Sequence, residues 1–444
     1  MTSPLAGRVL HFIGIGGAGM SGLALVASQL GAEVTGSDQA ESPYCERLRA
    51  AGIAPVIGHD ASNLPAGADV VVSTAIPGDN PELAAARESG ARVLHRGDLL
   101  GELSAMKRTI AVGGTHGKTT TASMAALALI ETGRDPAFLI GGELRAAGTN
   151  AAWGDGDWAV IEADESDRSF LKLSREVAVV TNVELDHHAT YTTLRELEEA
   201  FDEFEASAAV RVLGPDVQSG PADGGGVTFG IETGSFRAHN VRLGAGTSEF
   251  EVDGVPVALR VPGEHNVLNA LAALAALRAA GVPVAEAAPA LAQFTGAGRR
   301  FERHGRTESG AEVYDDYAHH PTEVRATLEA ARTLEPRRLV ACFQPHLYSR
   351  TRMLAREFGR ALALADLIVV LDVYRARERP EDYPGVSGYL VAEAAADHAG
   401  GRPVWWMPEL EDAERTLRPE LAEGDLLLTL GAGDVDELAR RLTR

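Results

Sequence analysis

The chain has 444 residues, of which 45% are hydrophobic and 23% charged, and its formal net charge is −22. A chain of this length exceeds what one hydrophobic core ordinarily supports, so we expect several domains. The acidic balance argues against nucleic-acid partners and anionic membrane surfaces, because binding to phosphates needs a basic face. No run of about eighteen apolar residues occurs, so no membrane-spanning helix is predicted.

The N-terminus and the cysteines indicate the compartment. The first residues lack the basic start and the long apolar stretch of a signal peptide. The two cysteines, Cys45 and Cys342, are far apart in the sequence, and we interpret them as reduced, buried thiols. These features predict a cytoplasmic protein.

Residues 1–107 alternate short apolar runs with helical stretches, which predicts a doubly wound α/β unit. The predicted strands are VLHFIGI, EVTGSD, DVVVSTAI and ARVLHR, and the predicted helices are SGLALVASQLG and NPELAAARESG. The first strand leads into GIGGAG (residues 14–19), and Asp38 follows about twenty residues later. Glycines at a helix N-terminus bind a pyrophosphate, and an acidic residue at this spacing binds a ribose hydroxyl. The pattern alone does not distinguish NAD from another nucleotide.

Residues 108–298 begin with an apolar run and the glycine-rich sequence AVGGTHGKTTT. Backbone N–H groups of such a turn surround phosphates, so Lys118 would reach the β- and γ-phosphates of ATP and Thr119 would meet Mg²⁺. Lysine occurs only at positions 107, 118 and 172, which argues against a chance lysine in this turn. The spacing departs from the general pattern because Val112 occupies the position of the first glycine.

Two later strands of this segment, WAVIEAD and EVAVVTNVE, end in groups that suit the same site. The carboxylates and histidines at these ends are Glu162, Asp164, Glu165, Asp167, Asp186, His187 and His188. Ligands of open α/β sheets lie beyond the carboxyl ends of the strands, so these groups are predicted to hold Mg²⁺ near the γ-phosphate. A glycine-rich polar stretch at 214–226 and the helix LNALAALAALRAAG complete the segment.

Residues 299–444 form the third segment. Its predicted strands are RRLVACF, LIVVLDV and DLLLTLGAG, with helices between them. The alternation of strands and helices again predicts an α/β unit.

Seven stretches together resemble the Mur ligases: GTHGKTTT, EADESD, TNVELDH, PGEHNVLNA, GAGRRF, DDYAHHPTEV and FQPHLYSRT. They occur in the family's order and cover nearly the whole chain. The resemblance implies an α/β protein of three domains. These are a Rossmann-like UDP-sugar domain (1–107), a central P-loop ATPase domain (108–298) and a Rossmann-like domain that contributes to ATP and amino-acid binding (299–444).

The resemblance is to the alanine-adding branch of the family and implies an activity. ATP would drive ligation of L-alanine to the carboxylate of UDP-N-acetylmuramate through an acyl phosphate, with Mg²⁺ as cofactor. This is a cytoplasmic step of peptidoglycan precursor synthesis, and hence of cell-wall growth, cell shape and cell division. The expected protein is a monomer or a homodimer. Residues 187–209 contain no lysine, so the carbamylated lysine of related ligases is absent, as this branch implies.

Four alternatives stay open at this stage. A peptide-adding ligase of murein recycling belongs to the same family, whereas a folate-type ligase lacks a counterpart of residues 1–107. A non-catalytic ATP-binding module would not need Lys118, Glu162 and His187 together. A nicotinamide oxidoreductase would need tight NAD binding at Gly14–Gly19.

The resemblance also implies site residues, position by position. The expected catalytic residues are Lys118, Glu162, His187, Asp316 and His319. The expected ATP-binding residues are Gly114, Thr115, His116, Gly117, Lys118, Thr119, Thr120, Asn266, Asn269 and Arg300. The expected UDP-sugar-binding residues are Gly16, Gly17, Ala18, Gly19, Asp38, Ser73 and Arg96. The expected amino-acid-binding residues are His346 and Arg350, and the expected metal ligands are Thr119, Glu162 and His187.

Two positions need comment. Arg299 and Arg300 are adjacent candidates for one phosphate contact, and Arg300 is the predicted one. Leu347 stands where the family pattern FQPHRYTRT has an arginine, so one cation of the expected amino-acid pocket is replaced.

Overall fold

The structure is a computed structural model that describes residues 4–217 and 226–444. Most of the glycine-rich stretch predicted at 214–226 therefore lies outside the described residues. The chain forms two compact units. The first comprises Met1–Ala238 and Leu268–Leu291, and the second comprises His239–Val267 and Ala292–Arg444.

The first sheet of the first unit contains five parallel strands. They are β1 (Val9–Ile13), β2 (Glu33–Asp38), β3 (Val56–Ile57), β4 (Asp69–Val72) and β5 (Val93–His95). The helices of this region are α1 (Ala18–Gln29), α2 (Pro43–Ala50), α3 (Pro81–Ser89) and α4 (Arg96–Ser104). The strand order β3-β2-β1-β4-β5 confirms the predicted doubly wound unit.

Local chemistry explains where these elements begin and end. The first strand ends two residues earlier than predicted, because Gly14 takes a φ of +81° and turns the chain. Helix α2, which was not predicted, begins after Ser42, whose side chain accepts from the Cys45 N–H. Helix α4 has a reciprocal capping box between His95 and Asp98.

The second sheet of the first unit contains eight strands. They are β6 (Arg108–Gly113), β7 (Ala137–Leu144), β8 (Thr149–Trp153), β9 (Trp158–Glu162), β10 (Val177–Val180), β11 (Val210–Leu213), β12 (Gly226–Gly230) and β13 (Phe236–Arg237). The helices are α5 (Lys118–Glu131), α6 (Leu194–Ala206), α7 (Glu264–Ala279), which belongs to this unit from Leu268 onward, and α8 (Val284–Leu291).

The order of this sheet is β13-β12-β11-β10-β6-β9-β7-β8, and its pairs are parallel except for the antiparallel pair β7-β8. Strands β10, β6 and β9 are therefore neighbours at its centre. Each of the three is followed by one of the predicted nucleotide-site stretches, so the sheet brings these stretches to one edge.

The hairpin β7-β8 connects the two sheets of the first unit. The Asn150 side chain donates to the Ala18 carbonyl over 2.9 Å, and the Trp153 N–H donates to Gln29 Oε1 over 2.9 Å. Gly22 packs so closely that an added Cβ would lie 3.1 Å from that of Ala151. Helix α1 is thus bound to the edge of the second sheet.

The second unit contains an antiparallel sheet of three strands and a mostly parallel sheet of six. The antiparallel strands are β14 (His239–Gly244), β15 (Thr247–Val252) and β16 (Val255–Leu259). The six-stranded sheet consists of β17 (Glu302–Arg306), β18 (Glu312–Asp316), β19 (Arg338–Phe343), β20 (Leu367–Val370), β21 (Val404–Trp406) and β22 (Asp425–Leu430). Its helices are α9 (Pro321–Arg332), α10 (Tyr348–Leu362), α11 (Tyr389–His398), α12 (Leu410–Glu420) and α13 (Asp436–Leu442).

The order of the six-stranded sheet is β17-β18-β22-β19-β20-β21, with only the β17-β18 pair antiparallel. Strand β22 is buried along its whole length, as expected for a central parallel strand covered on both faces. The α/β fold class is confirmed. The domain boundaries at 107/108 and 298/299 stay predictions, because the two compact units follow a different division.

Among the residues that the structure describes, no helix is long and apolar enough to cross a membrane. Both cysteines are buried free thiols, in agreement with the sequence interpretation.

Candidate functional site

The glycine loop (Gly14–Gly19) follows β1 and opens helix α1. The N–H groups of Gly14 and Ile15 donate to the Ser37 carbonyl over 2.8 and 2.9 Å. An added Cβ at Gly16 would lie 2.7 Å from Cys45 Sγ, so a larger residue does not fit there. Gly17 and Gly19 are exposed, and Ala18 begins the helix, so the N–H groups of the first turn can donate hydrogen bonds to an anion.

Asp38 is the last residue of β2, and Ser73 and Arg96 directly follow β4 and β5 of the same sheet. Asp38 fastens the glycine loop, because its Oδ2 accepts from the Gly16 N–H over 2.8 Å. Ser73 is half-buried, directly after β4. Arg96 begins α4, and its Nη1 lies 3.6 Å from where a Cβ at Gly19 would be. The structure thus brings Asp38 and Arg96 to the glycine loop, as a pyrophosphate site requires.

The phosphate loop (residues 113–119) connects β6 to α5. Gly114 and Gly117 have φ values of +116° and +81°, which favour glycine. Added Cβ atoms would lie 2.1 Å from Thr181 Oγ1 at Gly114 and 2.2 Å from Asn269 Oδ1 at Gly117. Both glycines are therefore required by close neighbours as well as by the backbone.

The segment that follows β10 holds the phosphate loop in place. The N–H groups of Thr115 and His116 donate to the carbonyl and side-chain oxygens of Asn182, each over 2.9 Å. The His116 ring lies 3.0 Å from Glu184 Oε2. Thr120 is buried within the first turn of α5. Asn182 and Glu184 are supporting residues that the predicted site list does not contain.

Lys118 is bound by its own loop and by one carboxylate. Its Nζ donates to the carbonyls of Gly114 and Thr115 over 2.6 and 3.1 Å and lies 2.8 Å from Glu165 Oε2. Burial disfavours its charge, but Glu165, Asp164 and Glu162 outweigh burial and raise the pKa of Lys118. The ammonium is therefore charged at neutral pH, as phosphate binding requires.

Glu162 ends β9 beside the start of α5. Its Oε1 accepts from the Thr119 hydroxyl over 3.0 Å, and its Oε2 accepts from the Gly141 N–H over 2.7 Å. These adjacent hydroxyl and carboxylate oxygens are the hard donors that Mg²⁺ prefers, so Thr119 and Glu162 fit the expected ion.

His187 occupies a different position from the other two expected metal ligands. Its Nε2 lies 3.2 Å from Glu165 Oε1, and burial is outweighed by Glu165 and Asp186, which raise the pKa of the ring. Its φ of +54° is a costly conformation for a side-chain-bearing residue, and such strain concentrates at functional sites. The structure places His187 beside Lys118, with Glu165 between them.

Glu165 is a further residue that the list of expected site residues does not contain. It is fully buried, it contacts both Lys118 and His187, and its backbone carbonyl accepts from the Tyr191 hydroxyl over 2.9 Å. The sequence signal was the acidic turn (Glu162–Asp167), which has four carboxylates in six residues. Only the turn geometry shows which of them faces Lys118.

The two asparagines of EHNVLN belong to different compact units. Asn269 reaches the phosphate loop, where its Oδ1 accepts from Thr121 over 3.4 Å and limits the space at Gly117. The Asn266 side chain donates to the Pro262 carbonyl over 2.8 Å at the start of α7. Asn269 is thus placed as the ATP-site prediction requires, whereas the Asn266 contact observed here is local.

In the second unit, the structure separates the two adjacent arginines. Arg299 is used internally: its Nε donates to Asp315 over 2.9 Å and its two Nη groups donate to the carbonyls of Gly433 and Gly431. Arg300 lies over the Tyr317 ring and 3.9 Å from Glu323. The role of Arg300 as the phosphate contact stays a prediction.

Asp316 ends β18 and is buried. Its carboxylate accepts from the N–H groups of Phe301 and Ala318 over 2.7 and 2.8 Å. Burial outweighs the attraction of Arg300 and raises the pKa of Asp316 to about 7. A carboxyl group near the end of a strand with such a pKa is typical of a functional site.

The expected amino-acid residues form a cluster with His319. The Arg350 Nη1 lies 3.3 Å from His346 Nδ1, and Arg350 is 4% exposed. The His346 ring is 6.1 Å from the ring of His319 and stacks on Tyr374 at 5.7 Å. Leu347, which replaces the arginine of the pattern, has a φ of +70° and precedes α10. The neighbouring histidine His320 caps α9 instead of joining this cluster.

Comparison with known families matches three consecutive parts of the chain. Residues 9–108 match the Mur ligase family, catalytic domain; residues 112–277 match the Mur ligase middle domain; and residues 299–433 match the Mur ligase, glutamate ligase domain. The chain belongs to the Mur ligase family. Mur ligases use ATP to form an amide bond.

Individual relatives of this Mur ligase cover its full length. The UDP-N-acetylmuramate--L-alanine ligase of Streptomyces coelicolor is 49% identical over 97% of this chain and 96% of its own. The ligase of the same name from Rubrobacter xylanophilus is 45% identical over 98% and 99%. Among solved structures, the UDP-N-acetylmuramate-alanine ligase of Thermotoga maritima matches with a TM-score of 0.85 and 31% identity over 98% and 97%. A murein peptide ligase of Psychrobacter arcticus matches with a TM-score of 0.71 and 26% identity over 98% of both chains.

Proposed function

We propose that this Mur ligase joins L-alanine to the carboxylate of UDP-N-acetylmuramate at the expense of ATP, in peptidoglycan precursor synthesis. The observation that carries the proposal is the convergence of Lys118, Glu162, Glu165 and His187 at the ends of the neighbouring strands β6, β9 and β10. The substrate assignment is supported by the full-length alanine-adding relatives.

The first step is phosphoryl transfer. The muramate carboxylate oxygen attacks the γ-phosphorus of ATP, the bond to the β-phosphate oxygen breaks, and an acyl phosphate and ADP result. Two anions must approach each other, so the charge of Lys118 and the N–H groups at the start of α5 lower the barrier. Thr119 and Glu162 would hold Mg²⁺, which would neutralise phosphate charge.

His187 has a separate proposed role. In the geometry described here it is bonded to Glu165, so serving as a metal ligand requires its release from that carboxylate. We propose that its imidazole contacts the reacting groups beside Lys118. Its strained backbone holds the ring at this edge of the sheet.

The second step is amide formation. The amine nitrogen of L-alanine attacks the acyl carbon, loses a proton, and inorganic phosphate leaves from the tetrahedral intermediate. We propose that the Arg350 guanidinium binds the alanine carboxylate beside His346, and that Arg300, Asp316 and His319 act on the phosphate and the amine.

The UDP-sugar is proposed to bind at the glycine loop. The N–H groups at the start of α1 and the Arg96 guanidinium bind its pyrophosphate, and Asp38 and Ser73 contact the nucleoside side. The same loop physics applies to NAD, so the assignment depends on the family and not on the loop.

The test measures phosphate release from Mg²⁺ and ATP with UDP-N-acetylmuramate across single amino acids, with product masses determined by mass spectrometry. We expect release that depends on both the UDP-sugar and L-alanine, with a product mass of UDP-N-acetylmuramoyl-alanine. Lys118→Ala and His187→Ala should abolish it, while Lys172→Ala, at an exposed lysine, serves as the matched control.

Two outcomes contradict the proposal. Turnover with a tripeptide but with no single amino acid assigns the chain to peptide addition. Absence of turnover with either acceptor rejects the proposed function. We further propose a cytoplasmic location, consistent with two buried free thiols, and a monomer or homodimer, which light scattering after gel filtration would measure.

A further inference from the structure

Arg96 contacts two carboxylates of the acidic turn. Its Nε donates to Asp167 Oδ2 over 3.0 Å, and its Nη2 donates to Asp164 Oδ2 over 2.9 Å. The side chains of Arg96 and Asp167 are 16% and 5% exposed, so their pair is shielded from solvent and from salt, whereas the Asp164 side chain is 38% exposed. Arg96 belongs to the first sheet's region, whereas both carboxylates follow β9 of the second sheet.

The third nitrogen of the same guanidinium faces the glycine loop. Nη1 lies 3.6 Å from the position that a Cβ at Gly19 would take. One rigid, planar guanidinium can therefore bind an anion on the glycine loop and the carboxylates of the acidic turn at the same time. Within the first unit, Arg96 joins the two predicted nucleotide sites.

Asp164 also caps the turn that carries Glu165, the carboxylate that lies 2.8 Å from Lys118 Nζ. The Asp164 Oδ1 accepts from the Ser166 N–H over 3.0 Å and starts this short turn. Asp164 thus connects Arg96 to the turn whose Glu165 contacts Lys118.

We propose that Asp164 is a positioning residue that couples the two sites, because it links Arg96 at the glycine loop to the acidic turn beside Lys118. The inference rests on the proposed function, since it takes the anion on the glycine loop to be the pyrophosphate of the UDP-sugar. Asp164 acts through Arg96 and the turn, and it touches neither substrate.

The coupling is expected to be favourable. A pyrophosphate on the glycine loop attracts Nη1 and restricts the Arg96 side chain, and the fork then restricts the acidic turn that carries Glu162 and Glu165. ATP binding to an already ordered turn has a smaller ordering penalty, so the UDP-sugar tightens ATP binding. By linkage, ATP tightens UDP-sugar binding by the same factor.

The experiment measures the Kd of a non-hydrolysable ATP analogue with Mg²⁺ by calorimetry on the full chain, with and without saturating UDP-N-acetylmuramate. In the wild-type protein we expect the UDP-sugar to lower this Kd by about fivefold or more. In Asp164→Asn the ratio should fall to within about twofold of one. Arg96→Lys should give the same loss, because an ammonium cannot replace the fork, and it serves if Asp164→Asn folds poorly.

Lys172→Gln is the matched control. It breaks the ion pair between Lys172 and Asp98, which also joins the two sheets' regions but is exposed and includes neither Arg96 nor a carboxylate of the acidic turn. If these ion pairs only held the two sheets together, Lys172→Gln and Asp164→Asn would change the ratio of the two Kd values alike. If Asp164 has the proposed role, the ratio in Lys172→Gln stays at the wild-type value.

Three results overturn the inference: a wild-type ratio of one, an unchanged ratio in both Asp164→Asn and Arg96→Lys, or an equal loss in Lys172→Gln. The proposed function fails separately. If UDP-N-acetylmuramate neither binds nor turns over in the wild-type protein, the substrate assignment is wrong; if it turns over normally without coupling, only this inference is wrong.

Discussion

Glu82 of helix α3 is predicted to be a major stabilising residue of the first sheet. It is fully buried, and its carboxylate accepts hydrogen bonds from four donors, while the His59 ring lies 3.6 Å away. The four donors are His11 (3.2 Å), Ser37 (2.5 Å), Asn63 (2.7 Å) and the Asp60 N–H (3.2 Å). Burial disfavours the charge, but these hydrogen bonds outweigh burial and lower the pKa of Glu82 from 4.5 to about 2. This shift corresponds to about 3 kcal/mol of stability at neutral pH.

The perturbation is Glu82→Gln. The variant loses the charge, and its amide nitrogen faces a donor where a carboxylate oxygen accepted. We expect a loss of about 2–3 kcal/mol in the free energy of unfolding at pH 7. The Glu82 carboxylate stabilises the fold fully above pH 4.5, and this contribution disappears as the pH falls towards about 2. The difference between variant and wild type should therefore be constant above about pH 5 and shrink below it.

The assay is urea unfolding between pH 4 and pH 8. In a background where Trp405 and Trp406 are replaced by phenylalanine, fluorescence reports only Trp153 and Trp158 of the first unit. This choice avoids mixing the transitions of two units. Glu88→Gln, at an exposed glutamate on the same helix, is the control and should change little.

Activity provides a second measurement. The Ser37 carbonyl accepts from Gly14 and Ile15 of the glycine loop, and the Ser37 hydroxyl donates to Glu82. Glu82→Gln should therefore raise the KM for the UDP-sugar more than the KM for ATP. A stability loss below about 0.5 kcal/mol, or a loss that does not shrink towards pH 4, would refute the reasoning.

Three further predictions concern the second unit. Arg299→Lys should lower the melting temperature in calorimetry, because lysine cannot bind Asp315 and two carbonyls together. Arg300→Lys should raise the KM for ATP and leave the melting temperature unchanged. The reverse pattern would contradict both assignments. Leu347→Arg should lower the KM for L-alanine in steady-state assays by adding a cation beside His346, and an unchanged KM would place the carboxylate elsewhere. Asp316→Asn should gain stability relative to wild type, by up to about 3 kcal/mol, as the pH rises from 4 to 7, because the unfolded wild type ionises this carboxyl above its ordinary pKa of 3.8 whereas the folded wild type keeps it protonated up to about pH 7; a flat difference in urea unfolding would contradict this.

The buried parallel strands could be predicted from sequence because both faces are covered, which leaves continuous apolar runs such as LVACF and DLLLTL. The three-stranded sheet was missed, although Thr247–Val252 alternates exposed and buried residues with the period of a strand. The hairpin β7-β8 was also missed, because its sequence carries a weak strand signal. Its first strand contains Gly141 and Gly142, which weaken a strand signal, and its packing partner is the distant helix α1.

The site could be located from sequence but not resolved in detail. The phosphate loop is recognisable because its glycines and Lys118 are adjacent. The choice among the four carboxylates of the acidic turn depends on a short helical turn, and Glu165 emerges only from its contacts with Lys118 and His187. The distinction between Arg299 and Arg300 likewise depends on backbone carbonyls more than 130 positions away in the chain.

The packing of helix α1 on the hairpin β7-β8 limits which parts of the chain can be exchanged between ligases, in evolution or by protein engineering. A fragment of residues 1–107 would expose the α1 surface that meets Ala151 and leave the Ala18 carbonyl without Asn150. A fragment from residue 108 onward would expose the matching edge strand, which invites aggregation. The N-terminal sheet is therefore not a cassette that can be exchanged alone between ligases. A chimera that keeps its own sugar-binding half must also keep residues 137–153, so substrate range and this hairpin must change together.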